Sequence, residues 1–162
     1  MTHDQNEAMT FAQNIVVMDH GRIVQQGTPT ELFERPQTTF IGYFIGSPAM
    51  NLFDCNVASD HEVEIAGHKF SVGASLDQVK SKNLKLGIRP EKVAVASRGS
   101  ANSFKTDIER VEDFGNYKVV SAHLEKMTIK IKTKHEAELP ASELWLQFPP
   151  ENCCIYEDEQ LI

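Results

Sequence analysis

The sequence predicts a mainly β protein, a small barrel or sandwich that follows a short α/β segment. From about residue 50 onward, short runs of strand-forming residues alternate with turn signals, which is typical of small barrels and sandwiches. Before that point, helix-period and strand-like runs alternate. The breaker cluster Gly46-Ser47-Pro48 separates the two textures. We therefore expect one unit over residues 1–47 and a second over residues 48–162.

The first unit should contain a β-hairpin and three short helices, the first over residues 6–13. The apolar run Ile15–Met18 is bounded by polar residues, which is typical of a strand buried on both faces. A second helix should begin at a capping box, with Thr28 as the N-cap and Glu31 reaching back. The third helix is predicted to place four side chains on one face: Phe40, Ile41, Phe44 and Ile45.

The second unit should consist of short strands joined by tight turns. Residues 127–134 alternate cleanly, so we expect Ile129 and Ile131 to face the core and the intervening lysines to face solvent. The predicted strands cover residues 51–57, 63–66, 69–72, 84–88, 93–96, 106–111, 117–124, 127–134, 144–148 and 153–156.

Composition excludes several classes of protein. The chain has 162 residues and a formal net charge of −7, which argues against a nucleic-acid binder and against a polybasic membrane anchor. No apolar run approaches the roughly 20 residues that a membrane-spanning helix needs. The three cysteines are too few for a disulfide framework, and we expect buried thiols in a reducing compartment: Cys55, Cys153 and Cys154.

One candidate catalytic residue, His3, lies in the opening segment THDQNEAM. An imidazole beside a γ-phosphate can donate a hydrogen bond and stabilise the charge that develops during phosphoryl transfer. A single histidine among six is weak evidence by itself, since a surface or capping role is the default. The order of the segments that follow is what favours the catalytic interpretation.

The chain closely resembles the ATP-binding subunits of ABC importers, in particular the carbohydrate type represented by the maltose system. THDQNEAM resembles their switch-histidine segment, and AQNIVVMDHGRIVQQGTPTELFERP, FIGYFIGSPAMNLF and LGIRPE follow in the same order. The last strand pair, LWLQFPPENCCIYE, resembles the end of their accessory domain more loosely. Together these segments cover most of the chain.

This resemblance implies an architecture and a role. Residues 1–47 would close a nucleotide-binding domain, with His3 as its switch histidine, and residues 48–162 would form an OB-like barrel of the TOBE or MOP type. ATP and Mg²⁺ would be cofactors of the intact subunit. The implied partners are a second copy of the subunit, permease subunits and a regulatory protein or small molecule. The implied location is the cytoplasmic side of a membrane, reached through the permease.

The segments that hold nucleotide in this family are missing from the sequence. It contains no G-x-x-x-x-G-K-[ST] loop, no LSGGQ-like signature and no apolar run that ends in Asp-Glu. One histidine cannot hold a triphosphate without backbone amides and the loop lysine. We therefore expect the chain to be the back end of an ATPase subunit that does not hydrolyse ATP alone, and no bound cofactor or metal.

Other features leave alternatives open. The turn at Arg89 and Glu91 is either a ligand or dimer contact or a strand end with a surface ion pair. The acidic segment 157–159 should be solvated, the lysines on residues 126–134 should form a solvated sheet face, and Trp145 should be core or interface. A free-standing sensor of oxyanions or sugars is the rival function, because related barrels in molybdate systems bind oxyanions. Its candidate ligands are few: Lys69, Ser71 and backbone amides.

Overall fold

The computed structural model describes residue 2, residues 4–140 and residues 142–162, with only the backbone of residue 6. The helices of this part are α1 (Gln5–Phe11), α2 (Pro29–Glu34), α3 (Thr39–Phe44) and a 3₁₀ turn (Pro150–Asn152). The first strands are β1 (Ile15–Asp19), β2 (Arg22–Gly27), β3 (Asn51–Ser59), β4 (Glu62–Ile65), β5 (His68–Ser71), β6 (Leu84–Ile88) and β7 (Ala94–Val95). The remaining strands are β8 (Ser103–Asp113), β9 (Tyr117–Leu124), β10 (Met127–Lys134), β11 (Glu143–Gln147), β12 (Cys154–Glu157) and β13 (Gln160–Leu161).

Two antiparallel sheets form the main body, which confirms the predicted mainly β, OB-like fold. One sheet has the order β10-β9-β8-β11-β7, and the other has the order β13-β12-β6-β3-β4-β5. The hairpin β1–β2 forms a separate two-stranded sheet. No helix in the described part is long and apolar enough to cross a membrane.

The core of the main body lies between the two sheets and is built around phenylalanines. Phe148 stacks on Phe70 with ring centroids 5.2 Å apart and meets Phe104 edge-on at 4.9 Å. Such ring pairs add about 0.5–1.5 kcal/mol beyond the area they bury. Ile129 and Ile131 on β10 are buried in the same core, which confirms the alternation predicted for that strand.

Two asparagines join the sheets by pairing with their edge strands. The Asn51 amide on β3 donates to the carbonyl of Lys130 on β10 at 2.9 Å and accepts from its N–H at 2.8 Å. Asn102, just before β8, accepts from the N–H of Ser71 on β5 at 2.9 Å and donates to the Phe148 carbonyl at 2.6 Å. Each amide side chain thus replaces a strand neighbour at an otherwise open edge.

Helix α2, in the segment before the main body, begins at the predicted capping box. The Thr28 hydroxyl accepts from the Glu31 N–H at 3.3 Å, and the Glu31 carboxylate accepts from the Thr28 N–H at 2.8 Å, so the capping box is confirmed. Leu32, Ile41 and Ile45 form a second apolar cluster with Val17 of β1. This small cluster is separate from the phenylalanine-rich core.

Two burial predictions for this segment are wrong. Strand β1 buries only Val17 on one face, whereas Val16 and Met18 are 47% and 57% exposed, because a two-stranded ribbon has no described neighbour on its outer face. Helix α3 buries Ile41, but Phe40 and Phe44 are 38% and 40% exposed and stack on each other at 5.5 Å. Side chains four residues apart lie in one row along a helix, so Phe40 and Phe44 form one row and Ile41 and Ile45 form another; only the isoleucine row faces the cluster.

Replacing Asn51 tests the closure of the sheets. Asn51→Asp keeps the side-chain shape but cannot donate to the Lys130 and Ile88 carbonyls, so we expect a loss of about 1–3 kcal/mol in the free energy of unfolding. Urea unfolding at neutral pH measures this loss. The matched control is Asn56→Asp at an exposed position of the same strand. Equal stability of the two variants would contradict the proposed role of Asn51.

Candidate functional site

Arg89 lies immediately after β6 and joins the main body to helices α2 and α3. Its side chain is 3% exposed. The guanidinium donates from Nε to the Phe33 carbonyl at 3.0 Å, and from Nη1 to the Gly42 carbonyl at 2.9 Å and to the Ile45 carbonyl. Carbonyls near helix C-termini lack partners within the helix and carry partial negative charge, so a cation is a favourable donor there.

The guanidinium of Arg89 is only partly hydrogen-bonded, because Nη2 is buried and has no hydrogen-bond partner among the described residues. The guanidinium lies over the Phe33 ring, 4.4 Å from the centroid. Burial lowers the pKa of Arg89, and Tyr156 and Glu91 partly oppose the shift. The ordinary arginine pKa is so high that the group stays protonated at neutral pH. At the surface nearby, Lys92 pairs with Glu34 at 3.2 Å, a second link between the same two segments.

Tyr156 on β12 makes the second contact between the main body and the helical segment. It is completely buried, and its hydroxyl donates to the Pro36 carbonyl at 3.1 Å. The ring packs over Gly87 of β6, where an added Cβ would lie 2.8 Å from Tyr156 Cε2 and from Met50 Sδ. Any larger residue at position 87 would therefore displace this ring. Burial raises the pKa of the Tyr156 phenol, so it remains a neutral donor.

The hairpin β12–β13 makes the third contact. The Glu159 carbonyl accepts from the Thr39 N–H at 3.1 Å, and the Glu159 carboxylate accepts from the Thr39 hydroxyl and from Lys85 Nζ, the latter at 2.5 Å. The Leu161 N–H donates to the Gln37 carbonyl at 2.9 Å. The start of α3 is therefore tied to the end of the last hairpin.

We call Arg89, Tyr156 and Glu159 with their contacts to residues 33–45 the junction. Its groups are a cation, a neutral phenol and a paired carboxylate, all used to hold backbone, so the arrangement suits mechanical coupling of two segments. Within the described ranges, no group of three or more His, Cys, Asp or Glu side chains could hold a metal ion. Two shallow depressions flank the loop after β10, and both are open to solvent.

The predicted catalytic residue His3 lies outside the described residues. Its neighbours form the N-terminal cap of α1: the Asp4 carboxylate accepts from the Glu7 N–H at 3.1 Å, and the Thr2 hydroxyl donates to the Glu7 carboxylate at 2.8 Å. The role of His3 stays a prediction.

The ligand- or dimer-contact alternative for the Arg89 turn stays a prediction. The turn does follow the end of β6, as the other alternative expected, but Arg89 itself is buried. Its buried position follows from the helical segment that packs on the end of β6. Glu91 does form a half-buried ion pair, 3.2 Å from Lys132 Nζ. The acidic segment 157–159 is partly solvated, as predicted, with Asp158 exposed. Its two glutamates also make specific contacts: the Glu157 carboxylate accepts from the N–H groups of Lys80 and Ser81 at 2.7 and 2.6 Å, and Glu159 belongs to the junction.

The remaining predicted residues are spread over the surface and the core. The Ser71 N–H, a candidate anion donor, is already bonded to Asn102, while Lys69 is exposed. Lys132 Nζ lies 4.4 Å above the Tyr117 ring, so one lysine of the predicted solvated face is partly buried. Trp145 is half-buried on β11.

The cysteines are free thiols, as predicted. Cys55 and Cys153 are buried, and Cys154 is half-buried. Burial raises the pKa of Cys55 to about 11 and that of Cys153 to about 12, so both stay protonated near neutral pH.

Sequence reasoning missed Tyr156, Thr39, Asn51 and Asn102. Asn51 left a signal, because an amide at the start of a strand is unfavourable unless its side chain bonds to backbone. Asn102 left none, because it lies in a turn with φ of 57°, where asparagine is a favoured residue. Tyr156 left none, since its partner Pro36 is 120 residues away.

The fold and the junction define a class: an antiparallel OB-type accessory module fastened to a short helical segment. Two family models match adjacent parts of the chain, the MalK OB fold domain over residues 46–93 and the TOBE domain over residues 86–155. The two matches overlap in β6 and the turn that carries Arg89.

Curated relatives extend the match to the helical segment. The chain is 35% identical to the sn-glycerol-3-phosphate import ATP-binding protein UgpC of Salmonella typhimurium, over 98% of this chain and 45% of the relative. It is 42% identical to UgpC of Vibrio cholerae, over 74% of this chain and 32% of the relative. UgpC of Bordetella pertussis is 38% identical, over 87% of this chain and 39% of the relative. The chain thus spans less than half the length of these relatives.

The chain belongs to the family of ATP-binding subunits of carbohydrate-type ABC importers and corresponds to their C-terminal portion, in which a MalK-type OB fold meets a TOBE domain. Among solved structures, the cytoplasmic molybdate-binding protein ModG with molybdate bound covers 65% of this chain and 91% of its own. Its identity to this chain is 12% and its TM-score is 0.48, which is too low to transfer a function.

Replacing Arg89 tests the junction. Arg89→Met keeps the apolar stem but leaves the Phe33 and Ile45 carbonyls without a donor in a buried site. We expect the free energy of unfolding to fall by about 2–4 kcal/mol. Arg89→Lys should also destabilise, because one ammonium cannot match the guanidinium fork. Urea unfolding measures both, with exposed Arg98→Met as the control. A change in Arg89→Met no larger than the control's would contradict the role of Arg89.

The carboxylates of the last hairpin predict a dependence of stability on pH. Hydrogen bonds from Ser81 and Lys80 lower the pKa of Glu157, and those from Lys85 and Thr39 lower the pKa of Glu159. Folded-state pKa values below the unfolded value give stability that is present above about pH 4.3 and is lost as the pH falls through the folded values.

We therefore expect Glu157→Gln combined with Glu159→Gln to flatten the fall in the urea midpoint between about pH 5 and pH 3. The control, Glu138→Gln at an exposed loop position, should keep the wild-type slope. An unchanged slope in the double variant would show that these two carboxylates do not govern acid stability.

Proposed function

We propose that this chain is the regulatory and dimerising C-terminal portion of an importer ATPase subunit that energises uptake of a sugar or a related solute. In this role the OB-like module receives signals from a second copy, from a regulatory protein or from a small molecule. The helical segment passes them to the nucleotide-binding part. Permease subunits would hold the assembly at the cytoplasmic face of a membrane.

The outer face of the β1–β2 hairpin is the observation that carries this proposal. Met18 and Ile23 are paired across the hairpin and are 57% and 63% exposed, beside Val16 at 47%. Phe11 at the end of α1 is 81% exposed. A two-stranded ribbon is marginal alone, and a cluster of exposed large apolar side chains typically marks an interface. More than half of each relative lies outside the matched part, so its upstream segment is the proposed occupant.

The two apolar clusters support a domain boundary near residue 47. We assign residues 1–47 to the end of the nucleotide-binding domain and residues 48–162 to the accessory module. The first cluster joins α2 and α3 to β1, and the phenylalanine-rich core lies in the accessory module. The junction links the two, so that a change in one module can displace the other.

The chain's own residues do not fit a complete site for ATP and Mg²⁺. The sequence has no phosphate loop, and the described residues hold no cluster of metal ligands. We propose that both cofactors bind the upstream segment and that His3 completes the site as a hydrogen-bond donor to the γ-phosphate. By itself, this chain should not hydrolyse ATP.

A split-protein experiment tests the proposal. The chain is mixed with the separately produced upstream segment of Salmonella typhimurium UgpC, and complex formation and Mg-ATP hydrolysis are measured. We expect a complex that hydrolyses ATP faster than either part. His3→Ala should leave the complex intact and lower the rate by about 100-fold, the usual effect of removing one donor to developing charge.

Two surface variants sharpen this test. Met18→Lys with Ile23→Lys should abolish the complex, because the interface would bury unpaired charges. The control is Val57→Lys, an exposed apolar position on β3. Failure of wild type to form the complex would contradict the proposal. A saturable thermal shift with molybdate, phosphate or a sugar, without complex formation, would instead favour the sensor function.

A further inference from the structure

We propose that helix α3 is mounted on a fixed pivot and a releasable latch. The pivot is Arg89, which holds the last turn of α3. The latch is the set of contacts that ties residues 37–39 to the hairpin β12–β13, namely Lys85–Glu159–Thr39 and the bond between Leu161 and Gln37. When the latch opens, the start of α3 swings away from the main body while its end stays in place.

The pivot is fixed because moving α3 away from Arg89 would leave charged and polar groups buried without hydrogen-bond partners. Arg89 is 3% exposed and donates to three carbonyls, two of them at the end of α3. Withdrawing the helix would leave a buried charge and buried carbonyls without partners, and both are costly. The Met50 N–H also donates to the Gly42 carbonyl at 3.2 Å, so backbone reinforces the same end of the helix.

The latch is weaker because it holds no buried charge and its one ion pair is open to water, although Thr39 itself is buried. The Lys85 and Glu159 side chains are 28% and 45% exposed, and ion pairs with such exposure contribute little net stability. Strand β13 has two residues and lies at the edge of its sheet. Asp158 and Glu159 form its turn with φ of 48° and 69°, a left-handed conformation that non-glycine residues adopt at a cost.

Motion at the start of α3 would reach the β1–β2 hairpin. Ile41, in the first half of α3, packs in the same cluster as Val17 of β1 and Leu32 of α2. A cluster this small cannot deform continuously, so a shift of Ile41 displaces its neighbours. The latch therefore controls whether the hairpin follows the main body, whatever transport role the chain has.

Hydrogen exchange of the whole chain, resolved by residue, tests the pivot and the latch. In Glu159→Ala the Thr39 hydroxyl and Lys85 lose their shared partner. We expect the amides of Thr39 and Ile41 to exchange about tenfold faster, and those of Ile45 and Met50 to change by less than about twofold. Glu159→Gln, which keeps an acceptor, should show a smaller increase at Thr39.

The matched control is Glu157→Gln, in the same hairpin but bonded to Lys80 and Ser81. It should leave Thr39 and Ile41 unchanged. Retained amide protection of Leu86 and Ile155 shows that a variant is folded. If Glu159→Ala does not fold, Glu159→Gln is used to decide the test. Equal acceleration at both ends of α3 would overturn the pivot, and unchanged exchange at Thr39 would overturn the latch.

Discussion

The buried guanidinium of Arg89 is the constraint on which the arrangement of this molecule depends. A charge that is removed from water must find fixed dipoles in place of solvent, and here they are the carbonyls at the ends of two short helices. Those helices cannot shift without leaving the charge uncompensated. The positions of the ends of α2 and α3 are therefore constrained by one side chain at the end of β6, and Tyr156 and Glu159 hold the segment between them.

Arg89 contributes more free energy to the junction than the contacts around it. An exposed ion pair such as Lys92–Glu34 contributes at most about 1 kcal/mol, and salt screens it. A buried carbonyl that loses its donor costs about 1–3 kcal/mol. Arg89 serves three carbonyls, of which the Gly42 carbonyl also accepts from the Met50 N–H. Tyr156 adds a neutral buried bond of ordinary strength. The junction thus combines two buried attachments, one charged and one neutral, with exposed contacts that water can replace.

The sequence predicted local elements well and the junction poorly, for a physical reason. The bounds of β6, β9 and β10 agree with the prediction, because alternation and turn chemistry are properties of neighbouring residues. The mainly β class followed from the pattern of strand-forming runs and turns, and the OB-like accessory module followed from the resemblance. The burial of Arg89 and the exposure of Met18 depend on which distant segment covers each residue, and no short window of sequence contains that information.

Helices α2 and α3 are the connection between the accessory module and the β1–β2 hairpin. The phenylalanine core and the two asparagine closures make the accessory module a stiff body, so small internal deformations are costly. Among the described residues, α2 and α3 contact both this body and the β1–β2 hairpin. Under the proposed regulatory role, a signal that acts on the module would reach the hairpin through a displacement of these helices. In the proposed pivot, Arg89 holds the last turn of α3 while the start of the helix moves, so this displacement would be a rotation about the arginine.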